Sequence, residues 1–445
     1  PAYAQVDGSW YIIGVANGFD PVITIDSMAR RSDPEFPYKV ICEKNQSLYS
    51  FIGAHQKWIE ETSLESFSQI IVTEQDREKS QKPTSIEQWC KNSDIGSPKW
   101  NLLRHILNIE IDERPQEEGR EFYFSCDQIT DHLKTVISLS LDFEEQPAAN
   151  YDLGTLSLLP NLSKVYLNKV DLKKITFGEL SEKNFNELTI TNSNLTSLSM
   201  LPIFQVKVLN LSNNPLIDLT GIEHFKSLES LALNSTKVSD LSSLSELPTL
   251  TKLALSGIKS EEGLKNLDLL VNIEDINVYN TPLTRTNFKK LTKLSSLRIS
   301  GTSLAGIPKL DLTMALSLEK LTITNAKDLT ILWPSKLSEL EQVSVTSSSL
   351  TDLNFLKGAS KLKKANFLAN NITDLSVFSN SFPALSFLSL IRNPINDVTD
   401  LLNIPSIKIL KLNGTKLATG AEAKTSQNCP LNGPENHPVS LFCQK

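Results

Sequence analysis

Histidine and cysteine are the side chains best suited to nucleophilic, acid–base or metal chemistry, and in this sequence they are few and scattered. The histidines are His55, His105, His132, His224 and His437. A zinc site of the H-E-x-x-H type needs two histidines one helical turn apart, so that both rings face one metal. No pair has that spacing. The cysteines, Cys42, Cys90, Cys126, Cys429 and Cys443, include no C-x-x-C pair of the kind that holds zinc or shuttles electrons. Cys42 and His55 are the only thiol and imidazole within residues 5–82. A thiol nucleophile needs its base within hydrogen-bond reach, which a spacing of this kind does not supply. Phosphate-cradling glycine loops and the G-x-S-x-G elbow are absent. The expectation is a non-enzyme with no catalytic residue, no metal ligand and no cofactor.

The elements that position everything else are set by a repeat. Val206-x-x-Leu209-x-Leu211, Leu228-x-x-Leu231-x-Leu233 and Leu250-x-x-Leu253-x-Leu255 share one pattern. It continues through Ile276, Leu297, Leu321, Val343, Ala365 and Leu388 to Leu410, with weaker copies at Leu139, Val165 and Leu188. From Val165 to Leu410 is 245 residues in 11 steps, about 22 per repeat. The alternation within x-L-x-L-x predicts a short strand with leucines inward and the intervening residues outward. Three positions after the second strand leucine stands Asn, Thr or Ser: Asn214, Thr236, Thr281, Thr302, Ser348, Asn370, Asn393 and Thr415. Such side chains can satisfy backbone groups left unpaired where the chain leaves the sheet. Apolar residues then return about three apart, as at Leu216, Leu219, Ile222 and Phe225, which suits a 3₁₀ or helical arm.

The fold class expected is an α/β solenoid of about thirteen repeats, with a parallel sheet on the concave face and 3₁₀ or helical convex arms. The run from Val206 to Leu228 resembles the 22-residue repeat of internalins and related bacterial leucine-rich-repeat proteins. The resemblance covers residues 136–417 and implies a recognition scaffold without naming a ligand. No immunoglobulin-like segment or wall-anchoring motif follows the repeats.

Both ends of a solenoid need caps. Thr84-Ser85-Ile86-Glu87 reads as a capping box opening a helix through Cys90, and Ser97-Pro98 starts a second helix carrying Trp100, Leu103, Ile106 and Leu107. Trp89-Cys90, a helix and then Cys126 resemble the N-terminal cap of secreted members of the repeat class. Cys429-Pro430 and Cys443 resemble their closing element. The resemblance implies disulfides Cys90–Cys126 and Cys429–Cys443, and with them an oxidising compartment; five free thiols are the alternative. Cys42 is left over.

Five apolar runs, beginning with Trp10–Ile13 and ending with Gln69–Val72, predict a small β-rich domain of unknown family. The expected organisation is a signal-peptide remnant at 1–4, where Ala2-Tyr3-Ala4 fits a cleavage pattern, the β-rich domain at 5–82, and a helical cap at 83–135. Repeats follow at 136–417 and a C-terminal cap at 418–445.

A net charge of −7 disfavours nucleic acid and anionic membrane as partners. No stretch approaches the length of an apolar membrane span. The outward strand positions are mostly small and polar, among them Thr189, Ser212, Asn234, Thr322, Ser344 and Thr346. Larger residues at or beside them are the candidate concave-face binding set: Tyr166, Tyr279, Arg298, Leu368, Phe387, Ile391, Arg392, Ile409 and Lys411. The function expected is a secreted, periplasmic or cell-surface protein that binds a protein partner through that face. The alternatives are an enzyme whose chemistry lies in the N-terminal β domain and an intracellular regulator of another enzyme.

Overall fold

The computed structural model describes residues 84–91, 98–107, 126–142 and most of 150–444, together with four short strands before residue 42. The chain forms two compact units, Pro1–Val136 with Ala149–Asn161, and Ile137–Ala148 with Leu162–Lys445.

In the first unit, Ala2–Val6 pairs antiparallel with Ser9–Ile13, and Thr24–Asp26 with Lys39–Ile41. The expected strands around Trp10, Ile25 and Val40 are therefore present, while Cys42, His55 and the runs near 48–52 and 69–72 lie outside the described residues. Helix α1 spans Ile86–Lys91, α2 spans Pro98–Leu107 and α3 spans Cys126–Lys134. The capping box sits one residue later than expected. The Ser85 hydroxyl accepts from Gln88 N at 3.1 Å, and the Gln88 side chain accepts from Thr84 N at 2.9 Å. Trp89 is fully buried and its indole N–H donates to Lys99 O at 3.2 Å, tying α1 to α2. Helix α3 was not expected. It buries Ile129 and Leu133, one turn apart, and two apolar residues are too short a pattern to announce a helix.

The second unit is built on one parallel sheet of thirteen strands. They are Ser138–Asp142 (β1), Lys164–Asn168 (β2), Asn184–Thr191 (β3), Gln205–Asn210 (β4), Ser230–Ala232 (β5), Lys252–Ala254 (β6) and Asp275–Tyr279 (β7). Ser296–Ser300 (β8), Lys320–Thr324 (β9), Gln342–Thr346 (β10), Lys364–Asn366 (β11), Phe387–Ser389 (β12) and Ile409–Lys411 (β13) complete it. The sequence period and the sheet agree strand for strand. Repeat leucines stand opposite each other, Leu209 against Leu231 and Leu231 against Leu253. These leucines are at most 2% exposed. Burying each contributes roughly 1.5–3 kcal/mol, so the sheet is in effect the inner wall of a leucine core.

Two ladders turn the chain out of each strand. The first is conformational. Two residues after the second strand leucine, the backbone is left-handed in twelve successive repeats, from Lys169 to Gly414, with φ from 47° to 73°. That turn aims its N–H at the next repeat, as where Ala369 N donates to Ile391 O at 2.8 Å. The second ladder is the expected Asn/Thr/Ser column. Asn214, Thr236, Thr281, Ser348, Asn370, Asn393 and Thr415 are all buried and hydrogen-bonded to backbone, while Thr302 lies outside the described residues. Ser193 belongs to the same column.

The arms run through 3₁₀ turns such as Ile222–His224, Ser242–Glu246 and Ser376–Ser379, as the spacing of three predicted. Each of many arms opens on an aspartate whose carboxylate accepts the N–H two residues on, at Asp218, Asp240, Asp352, Asp374 and Asp397. This aspartate column was missed in the sequence. Its signal was the recurrent Asp-Leu and Asp-Val after the Asn/Thr position. In two neighbouring arms the parallel pair Lys309–Asp311 and Thr330–Leu332 replaces the 3₁₀ turn.

At the C-terminal end, α4 spans Lys416–Thr419 and α5 spans Pro438–Gln444, the latter packed beside β13. Cys429 and Cys443 form a disulfide, as the resemblance implied. Cys90 is also disulfide-bonded, while the side chain of Cys126 lies outside the described residues. His437 is buried. Val439 N donates to its Nδ1 at 3.3 Å, so Nε2 carries the proton and donates to Ile404 O at 3.1 Å.

Candidate functional site

With leucines inward and the turn ladders occupied by backbone, the side chains left over are those on the outer sheet face. Parallel in-register pairing stacks them in rows. One row reads Asp275, Ser296, Lys320, Gln342, Lys364, Phe387 and Ile409 along adjacent strands. The next reads Asn277, Arg298, Thr322, Ser344, Asn366, Ser389 and Lys411.

A groove of about 430 Å³ crosses this face from β8 to β12. Arg298, Lys320 and Lys364 supply its charge, and Phe387 stands at its C-terminal end. Gln342, Ser344, Thr322 and Asn366 give it a hydrogen-bonding floor. Among the described residues no carboxylate lines it. Two acids close in sequence to Gln342 are engaged elsewhere. Glu341 lies 2.7 Å from Lys363 and Glu339 lies 2.6 Å from Lys361. The hydrogen bond from Lys363 holds the Glu341 carboxyl below the usual carboxylate range, with Lys320 and Lys361 adding to the effect.

Of the nine candidate residues, the groove brings together Arg298 and Phe387. Lys411 lies with its ammonium 5.5 Å from the Phe387 ring centroid, and Ile409, half exposed, is directly beside Phe387 in the sheet. Leu368 and Ile391 follow the ends of β11 and β12 and are partly exposed. Arg392 occupies the left-handed turn beyond them, at φ 57°. Tyr279 is exposed on β7, and its ring lies over Gly301. Tyr166 stands far along the sheet on β2, where a hydrogen bond and charge from Glu187, after burial, raise its phenol above the usual value.

Two residues counted among the outward polar positions are in fact buried. Ser212 and Thr346 lie where the strand bends into its turn, so their hydroxyls face neighbouring repeats. Ser212 Oγ accepts from Asn234 N at 3.2 Å, and Thr346 bonds Thr324 at 3.2 Å. Sequence reasoning also missed Lys320, Gln342 and Lys364. They occupy the outward position before the first strand leucine, which the same period marks, but the search favoured aromatic and arginine side chains.

No protein-family model and no curated protein matches the chain. Solved structures do. The functional domain of InlJ from Listeria monocytogenes, described as including a cysteine ladder, is 20% identical over 67% of this chain and 67% of that one, with a TM-score of 0.47. A leucine-rich-repeat protein of Leptospira interrogans is 20% identical over 64% of this chain and 86% of that one, TM-score 0.43. An internalin of Listeria monocytogenes, InlF, is 18% identical over 64% and 71%, TM-score 0.37. The period, the thirteen-stranded sheet and the two turn ladders define a leucine-rich-repeat solenoid.

Proposed function

We propose that the protein is a recognition module that binds a protein partner on the outer face of the sheet, in a secreted, periplasmic or cell-surface setting. The observation that carries this reading is the division of labour among side chains. Leucines, the Asn/Thr/Ser column and the arm aspartates account for burial, turns and caps. The groove residues Arg298, Lys320, Lys364 and Phe387 serve none of those purposes. Large and charged side chains gathered in a groove favour a binding role over a solvated ladder. The Cys429–Cys443 disulfide supports an oxidising compartment.

The experiment is site-specific photocrosslinking of the full chain in its native host. A photoreactive residue is placed at Thr322 or Ser344 on the face, and at Thr220 or Asn354 on the arms. Crosslinks to one partner from the face positions support the reading, and crosslinks from the arm positions alone overturn it. Thiol labelling of native protein tests the location, since reactive thiols at Cys429 and Cys443 would contradict an oxidising compartment.

A further inference from the structure

We infer that the groove over β8–β12 receives an acidic, extended segment of the protein partner, an inference that rests on the sheet face being the binding surface. Three cations converge there in a protein whose net charge is −7. Among the described residues none of the three makes an ion pair, whereas the neighbouring Lys361 and Lys363 are already matched to Glu339 and Glu341. Glu341, the acid whose charge couples to Lys320, is itself hydrogen-bonded to Lys363, so the groove keeps an excess of positive charge.

The spacing selects the form of the ligand. Lys320 and Lys364 share a row and flank Gln342, two strand intervals or about 10 Å apart. An extended chain of the polyproline II kind advances about 3.1 Å per residue with three residues per turn, so carboxylates three residues apart lie on one face about 9 Å apart. Arg298, one row over on β8, offers a forked donor suited to a bidentate carboxylate. Gln342, Ser344 and Asn366 lie between the cations and can serve a peptide backbone. Phe387, in register with Lys364, provides a ring for an apolar residue at the segment's end.

A long polyanion fits less well. Asp275 flanks Ser296 in the same row, just past the N-terminal side of the groove, and Glu341 directly precedes Gln342, the first residue of β10. A nucleic acid or sulfated polysaccharide running on from the groove would meet these carboxylates. A short acidic segment ends before it does.

The test is fluorescence anisotropy of the full chain with a labelled synthetic peptide of Glu and Gly residues ending in Phe. A Gln-for-Glu peptide, heparin and duplex DNA serve as comparison ligands. The expected result is binding of the acidic peptide alone, weakened about tenfold or more by Lys320→Glu/Lys364→Glu and by raised salt. Lys320→Gln/Lys364→Gln, checked for folding by circular dichroism, should lose a smaller share. No binding of the acidic peptide, equal binding by the charge-reversed variant, or preference for heparin or DNA would overturn the inference. The two readings fail separately. If face crosslinks to a partner persist in the charge-reversed variant, the face binds but the acidic segment is refuted; loss of face crosslinks in the unaltered protein refutes the face itself.

Discussion

Asn370 accepts the backbone N–H of Ser348, one repeat earlier, at 3.1 Å, and the Ser348 hydroxyl in turn accepts the N–H of Ala326, one repeat earlier again, at 3.3 Å. The relay runs on, because Asn393 donates to Phe367 O at 2.7 Å and accepts from Ile372 N at 3.1 Å. Asparagine does most in this column, since its amide both accepts and donates. Asn370 also accepts from Leu350 N and donates to Val345 O and Phe367 O.

Removing that amide strands several buried backbone groups at once. Asn370→Ala is expected to destabilise the second unit by about 2–4 kcal/mol, against about 1 kcal/mol for Thr236→Val, which removes one hydrogen bond to Leu233 O and leaves that oxygen its bond from the residue 236 N–H. Urea unfolding of the two variants, followed by circular dichroism, measures the difference. Equal effects would contradict the ranking.

Gly301 holds a left-handed turn at φ 60°, and a Cβ there would come within 3.1 Å of the Tyr279 ring. Gly301→Ala should cost about 1–2 kcal/mol from backbone and contact together. Adding Tyr279→Ala should recover part of it, leaving the backbone share. A double-mutant cycle in thermal denaturation reads this coupling.

Asp240 is held below the usual carboxylate range by its hydrogen bond from Asn266 and then by that from Ser242 N; Asp311 is lowered first by the Thr313 hydroxyl. A lowered folded pKa means the unfolded chain binds its proton first. The stabilisation is therefore present above the ordinary carboxylate pKa of about 3.9 and is lost as pH falls through the lower folded value. The midpoint of thermal unfolding should drop across that acid window. Asp240→Asn, which keeps an acceptor for Ser242 N, should flatten the drop; an unchanged profile would exclude Asp240 as a contributor.

The Cys429–Cys443 disulfide closes a loop with a sequence separation of 14. Loop-closure entropy for such a length is about 3 kcal/mol. Cys429→Ser/Cys443→Ser should lower the stability of the segment after β13 by about 2–3 kcal/mol. Hydrogen exchange in α5 should rise before exchange in β5 or β6 does.

Much of this was legible in the sequence because a period is a physical statement. Leu209, Leu231 and Leu253 recur at the spacing that stacks them, so strand number, register and the buried Asn/Thr column all followed. Helix α3 and the aspartate column were not read, since Ile129 and Leu133 form too brief a pattern and Asp218 or Asp240 looks like any surface acid until its turn is seen. The candidate site was half legible. Arg298 and Phe387 stood out by size, but Lys320 and Lys364 became notable only when pairing put them in one row of the groove. The one-residue shift of the capping box to Ser85 and Gln88 shows how local the missing information is.

The left-handed turn that follows twelve of the strands also sets how such a chain can change over generations. Each turn and each column residue bonds within its own repeat or to the repeat beside it, so the unit of inheritance is a whole repeat. A unit copied or deleted in frame restores the same bonds at the new junction. What varies is the length of the row of side chains facing outward, and with it the reach of the surface a partner meets.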